Sequence, residues 1–280
     1  MKSVISLLRR SLTLIMAAVA AFGGLFGGSA GVKEGSAALV NEYEYNLETG
    51  LCFGQGLACD GEYFYGFGAL KPLDYNCITK INALTGEVVE INELCLPREL
   101  VLKGYSHLGD GCVVDGRLYI ALEDFGFRHP AVAIYSADTL EFIEYHVIPD
   151  ECRGNGRIPW CAIKDGTLYF SQSNDVDEIR MLNLEDFSFA GVIKLDKTLY
   201  KMQGGEFWDG KLYVVTNSEK YDKPVFEIDV ETGSVQTKFI RNVGALDMEG
   251  EGIAICPLPD GSLFHILDVG TVVRLSSFSL

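Results

Sequence analysis

Five copies of one strand–turn–strand unit run through this chain, and no other feature restricts its fold as much. The copies span 55–67, 110–122, 159–172, 204–216 and 251–267, each joining a short apolar run to an aromatic-rich one through Asp-Gly. The turns are Asp60-Gly61, Asp115-Gly116, Asp165-Gly166, Asp209-Gly210 and Asp260-Gly261. Asp-Gly readily takes the positive φ angles of a two-residue hairpin loop, so each site predicts a pair of antiparallel strands. Four units continue into a second hairpin, over 77–91, 132–148, 178–195 and 225–240. There apolar and polar residues alternate on either side of a Thr-Gly or Asp-centred turn, the period of a half-buried strand. Two hairpins make a four-stranded blade, and a unit of about fifty residues is the spacing of a β-propeller.

The chain ends predict closure. The last unit has only 271–280 after its first hairpin, while 38–47 is a spare strand with no neighbour in sequence. Pairing the two completes a fifth blade and removes an exposed sheet edge. The expected fold is all-β: a five-bladed β-propeller of four-stranded antiparallel blades, its ring closed by the N-terminal strand. It occupies 38–280 as a single domain, after a short linker at 31–37.

Residues 1–30 have a different character. Lys2, Arg9 and Arg10 precede an apolar run from Leu12 to Phe26, and small residues follow at Gly28-Ser29-Ala30 and Gly35-Ser36-Ala37. This pattern is that of a bacterial-type export signal or an uncleaved N-terminal anchor, so a secreted or cell-envelope protein is expected. The whole chain carries 39 acidic against 23 basic residues, a net charge of −16, and its first thirty residues contribute no acid. Such a surface repels phosphate backbones and anionic headgroups, which excludes nucleic acid and confines membrane contact to an uncleaved N-terminal segment. Small polar ligands, peptides, glycans and metal ions remain as partners of a chain expected to be monomeric. All eight cysteines lie beyond the leader. An even count in an exported chain permits disulfides, with 105 possible connectivities for eight residues; one or two bridges are expected, the other cysteines filling strand interiors.

The strand that opens each unit lines the axis of a propeller, so the residues just ahead of the five copies converge on one mouth of the channel. They gather Gln55, His107, Asp110, Trp160, Gln203, Glu206, Glu249 and Glu251. Carboxylates, amides and an indole around a concave mouth suit a small polar ligand or a peptide terminus, with Trp160 as a rim aromatic for stacking. Crowded carboxylates raise one another's pKa unless a cation intervenes. Asp110, Glu249 and Glu251 are therefore the expected ligands of a Ca²⁺ ion, or one of them stays protonated as a general acid. The bland alternative is that these groups only bond water and backbone amides. Elsewhere no zinc spacing, nucleophile elbow or GxxxxGK phosphate loop occurs in the sequence.

The order of motifs resembles the glutamine cyclotransferase family of exported five-bladed propellers. Phe53-Gly-Gln-Gly-Leu57 and Thr85-Gly-Glu-Val88 stand where that family has an FTQGL-type strand and a TGKV-type hairpin. Gly109-Asp-Gly-Cys112 and Tyr135-Ser-Ala-Asp-Thr-Leu140 match its GEGI-like start and YDADTL-like hairpin. Glu206 ahead of Asp209-Gly-Lys-Leu-Tyr213, and Gly250-Glu-Gly-Ile-Ala254, fit its fourth and fifth blades. The resemblance spans about residues 50 to 275 and implies the scaffold and, as an alternative function, aminoacyl transfer on glutaminyl peptides. Departures stand beside it. Tyr65-Gly-Phe-Gly68 replaces an ESTG-like acidic stretch, Ile120-Ala-Leu-Glu123 a tryptophan-bearing strand, and Gln203-Gly-Gly-Glu206 an NELE.

Overall fold

The computed structural model describes residues 31–50, 52–70, 75–244 and 248–280, so the leader expected over residues 1–30 lies outside the described residues. The chain opens with β1 (Gly31–Glu34) and β2 (Ala38–Tyr45). Blade one follows as β3 (Gly56–Cys59), β4 (Tyr63–Leu70), β5 (Tyr75–Asn82) and β6 (Val88–Glu93). Blade two is β7 (Tyr105–Val114), β8 (Arg117–Asp124), β9 (Ala131–Ser136) and β10 (Phe142–Val147). Blade three is β11 (Cys161–Lys164), β12 (Thr167–Phe170), β13 (Val176–Asn183) and β14 (Phe189–Leu199). Blade four comprises β15 (Met202–Trp208), β16 (Lys211–Thr216), β17 (Asp222–Asp229) and β18 (Ser234–Asn242). Blade five takes β19 (Glu249–Ile255), β20 (Phe264–Val269) and β21 (Val273–Ser279), and β2 supplies its fourth strand.

All pairings within blades are antiparallel, and the inner strands β3, β7, β11, β15 and β19 contact their neighbours in a closed ring. The five-bladed propeller is thus the observed fold, and β2 pairs with β21 from Ala38↔Ser279 to Tyr45↔Val273 as the spare strand predicted. The 31–37 stretch differs from a linker. Its β1 adds to the outer edge of β18, making blade four five-stranded, and Lys33 pairs there with Asp222 at 2.5 Å.

Three of the Asp-Gly turns have both residues at positive φ, namely Asp115 (49°) with Gly116 (71°), Asp165 (50°) with Gly166 (71°) and Asp209 (46°) with Gly210 (77°). Those are the two-residue loops expected. The turns of blades one and five differ, since only Gly61 and Gly261 have positive φ. At Asp60 the carboxylate accepts from the amides of Glu62 and Tyr63 at 2.9 and 2.7 Å, and this side-chain turn lengthens the loop.

Packing follows from the alternation. Five apolar clusters fill the seams between neighbouring blades, one per seam. Each large side chain buried there contributes about 1.5–3 kcal/mol relative to exposure. A disulfide between Cys59 and Cys256 ties blade one to blade five across a sequence separation of 197. Among the described residues it is the single bridge, within the range expected, while Cys95, Cys112, Cys152 and Cys161 are buried as thiols. Among the described residues no helix is long and apolar enough to cross a membrane.

Candidate functional site

The centre of the ring is closed by one side chain. Asp110 is fully buried, and its Oδ1 accepts from the Leu57 amide of blade one at 2.7 Å. Its Oδ2 accepts from Gly205 of blade four at 3.1 Å and Ile253 of blade five at 3.4 Å. Its own amide donates to the Pro159 carbonyl at the start of blade three, 2.7 Å away. One residue of blade two therefore bonds all four other blades. Glycines make this approach possible. A Cβ on Gly56 would lie 2.5 Å from the Asp110 Cα, one on Gly204 2.6 Å from Asp110 Oδ2, and one on Gly252 2.7 Å from the Leu57 nitrogen. The small-residue start of the repeat is thus the collar that lets five backbones meet around a carboxylate. Burial pushes the Asp110 carboxyl well above the usual range, and the amides of Leu57 and Ile253 pull it back.

Above this plug lies a chamber of about 160 Å³ lined by Gln55, His107, Arg157, Gln203, Glu249 and Glu251, with Gly109 and Pro159. On one wall His107 Nδ1 faces Glu123 Oε2 at 3.0 Å and its Nε2 faces Gln55 Oε1 at 2.5 Å. Gln55 Nε2 donates to the Gly54 carbonyl at 2.8 Å, which fixes the oxygen towards the ring. Each imidazole nitrogen thus faces a side-chain oxygen. Glu123 is fully buried, and its Oε1 has no hydrogen-bond partner, the nearest cation being Arg157 Nε at 3.9 Å.

The opposite wall is acidic. Glu251 is buried and accepts from Gln203 Nε2 at 3.2 Å, while Glu249 beside it is exposed. Burial first, and then the Glu249 carboxyl next to it, hold Glu251 well above the ordinary carboxylate range. Behind this pair sit three more buried charged groups. Arg241 pairs with Asp268, and Lys223 Nζ donates to Asn217 Oδ1 and the Glu219 carbonyl, both at 2.8 Å. Burial and the Arg241 charge lower the Lys223 pKa, against the pull of Asp268, Glu249 and Glu251.

Of the residues expected at the mouth, Gln55, His107, Gln203, Glu249 and Glu251 meet in the chamber. Trp160 does not reach the rim. Its indole is fully buried between blades three and four, donates to Ser171 Oγ at 2.9 Å and packs where a Cβ on Gly205 would stand 2.7 Å from the ring. Glu206 follows Gly205 towards the Asp209-Gly210 turn, away from the mouth; its Oε1 accepts from the Phe207 amide, and burial pushes its pKa up to about 8. The Ca²⁺ set also divides. Both Asp110 oxygens are taken by backbone amides, and among the described residues no metal-sized cluster unites Asp110 with Glu249 and Glu251. A cluster of that kind does occur at Cys59, Cys256 and His265. Its sulfurs are joined in the disulfide, and both His265 nitrogens are hydrogen-bonded, to Ser277 Oγ and the Cys256 carbonyl. Sequence reasoning missed Glu123 and Arg157. The signal for Glu123 was a carboxylate ending the apolar run of β8; Arg157, in the entry loop of blade three, gave none.

These features define a class: a five-bladed propeller with a plugged channel and a small polar chamber at one mouth. Among solved structures the chain is similar to Myxococcus xanthus glutaminyl cyclase, at 16% identity and a TM-score of 0.60, over 86% of this chain and 95% of that one. It is more distantly similar to a luciferin-regenerating enzyme, at 10% identity and a TM-score of 0.48 over 91% and 93% of the two chains. Likeness at these identities concerns the fold, and the first confirms a glutamine cyclotransferase-like scaffold. No family model matches the sequence, and no curated protein is similar to it.

Proposed function

We propose that the mouth chamber binds the amino terminus of a peptide and that its acid pair transfers protons in an intramolecular aminoacyl transfer. One observation carries this reading: a buried Glu251 with a raised pKa stands beside the exposed Glu249 in a cavity of about 160 Å³. In cyclisation of an N-terminal glutamine, the α-amine forms a bond to the side-chain amide carbon and ammonia leaves. Glu249 accepts the proton that the amine loses, and Glu251 donates one to the departing nitrogen. Gln55 and Gln203 supply amide groups for the substrate carbonyls. The scaffold shared with a glutaminyl cyclase supports the assignment. Export of the protein is part of the proposal, supported by the leader-like N-terminus and by the disulfide.

The experiment is ammonia release from a Gln-initiated peptide, with Glu251→Gln expected to lower turnover by about 10²–10⁴-fold. Absence of ammonia at high protein concentration would end the enzymatic reading. A second reading, a binding or sensing propeller without chemistry, is favoured by the departures at Tyr65–Gly68 and Gln203–Glu206. Peptide binding by calorimetry without turnover would select it.

A further inference from the structure

The chamber is not isolated on its face of the propeller. Two open basins adjoin it, one of about 250 Å³ that shares Arg157, Gln203 and Glu249 with it, and one of about 480 Å³ that shares Glu249. Both basins are lined by Lys201 and Asn217. Their combined surface reverses the sign of the molecule. The chain as a whole carries −16, yet among the described residues the basins present Arg157, Lys201, Lys220 and Lys223 against Glu219 and Glu249.

Local structure holds these cations where a ligand would meet them. Lys201 has a φ of +52°, a left-handed conformation that side-chain-bearing residues seldom adopt. Its carbonyl is fixed by the Asn217 amide at 2.8 Å, so the connection between β14 and β15 presents Lys201 at the rim. Lys201 and Lys220 are exposed, and each has an exposed tyrosine as chain neighbour, Tyr200 (55%) and Tyr221 (45%). Lys223 is buried beneath them, and Asn217 and the Glu219 carbonyl hold its ammonium. The larger basin, of about 480 Å³, falls within the volume range of small-ligand sites.

We infer that these basins form an extended subsite for carboxylate side chains, so that the preferred ligand is a peptide with acidic residues directly after its amino-terminal one. The inference rests on the reading of the chamber as an amine-terminus site. The amine sits on Glu249 and Glu251; the chain leaves over Glu249 and lays its carboxylates on Lys201, Lys220 and Arg157. Acid and base are thereby ordered in space, and a ligand of the opposite order meets like charges at both ends.

The test uses three Gln-initiated hexapeptides with Asp-Glu, Ala-Ala or Lys-Arg at positions two and three, titrated calorimetrically into the full protein. The acidic peptide is expected to bind about tenfold more tightly than the alanine one, and the basic one more weakly still. The advantage should shrink with added salt. In the Lys201→Glu/Lys220→Glu variant the order should invert; because both side chains are exposed, its thermal melt should match the parent. Affinities equal within twofold, an order unchanged by charge reversal, or no binding by any peptide would overturn the inference. Ammonia release measured in parallel separates the two readings. Acidic preference without ammonia leaves the subsite standing and ends cyclisation, whereas ammonia without preference does the reverse.

Discussion

Asp110 offers the sharpest test of how this ring is held. Replacing it by alanine strips acceptors from three buried backbone donors, at Leu57, Gly205 and Ile253. Each orphaned donor costs about 1–3 kcal/mol. The glycine collar leaves no side chain able to swing in, so Asp110→Ala should lose roughly 4–6 kcal/mol. That is a large share of the roughly 5–15 kcal/mol that stabilises a typical domain, enough to unfold a marginal one outright. Asp110→Asn keeps the volume and one acceptor oxygen. Turned towards Gly205 and Ile253, that oxygen leaves the Leu57 N–H facing an NH₂ group, a loss of about 2–3 kcal/mol. Urea denaturation of both variants measures these values, with the parent slope m as the check that unfolding remains two-state. An Asp110→Asn variant within about 1 kcal/mol of the parent would refute the central-tie argument. If stability held while peptide binding vanished, Asp110 would be a ligand group instead.

Four further outcomes follow from the same coordinates. Glu206, with its folded pKa at about 8, favours the fold only while protonated, so stability should fall as pH rises from the unfolded carboxylate value towards 8. Glu206→Gln should therefore gain on the parent across that window, by roughly 2–4 kcal/mol at its upper end, and urea melts with parallel pH profiles would contradict this. Reduction of Cys59–Cys256, or the double alanine variant, should cost about 2–4 kcal/mol because the bridge closes so long a loop, read from melts with and without a dithiol. Gly252→Ala places a methyl 2.7 Å from the Leu57 nitrogen and 2.9 Å from both the Gly56 Cα and Asp110 Oδ1, against backbone and a carboxylate held by backbone amides; a loss of about 3 kcal/mol is expected by denaturation. Because Glu251 must keep its proton to serve as the acid, an amine terminus should enter beside it as the neutral base and shed its ammonium proton on binding. Affinity should then rise with pH, and calorimetry in buffers of different ionisation enthalpy would count the proton.

The ring was legible because its determinants are local. Asp-Gly turns and period-2 runs specify hairpins wherever they occur, and a strand without a partner at one end of the chain answers a missing strand at the other. The side chains of the mouth were legible only in part. Position ahead of an inner strand brought Gln55, His107, Gln203, Glu249 and Glu251 together, but not the direction in which each points. Trp160 turns into a seam because Gly205 across that seam lacks a Cβ and leaves room for an indole. Nor does sequence reveal what saturates a carboxylate. Asp110 and Glu251 read alike as acids near the axis, and the amides that claim Asp110 come from residues 53, 95 and 143 positions away. Leu140 and Phe187 hide differently. At φ of 56° and 55° they occupy the left-handed turn position that Gly86 and Gly233 fill in blades one and four. Their burial in the seams offsets the strain that glycine would avoid.

The contrast between the two buried acids locates the chemistry. Asp110 and Glu251 are both removed from water, and burial raises the pKa of both. Asp110 has its oxygens occupied by amides of three blades, a fixed set of dipoles that no ligand can displace without opening the ring. Glu251 has a side-chain amide and another carboxyl for company. A group in the first condition holds structure together, and a group in the second gains free energy from any amine that enters. Because the plug lies beneath the chamber, such a ligand must come and go through the mouth, past a rim that is cationic on the side of Lys201 and Lys220. Amine inward and carboxylates outward is the orientation that both fields select.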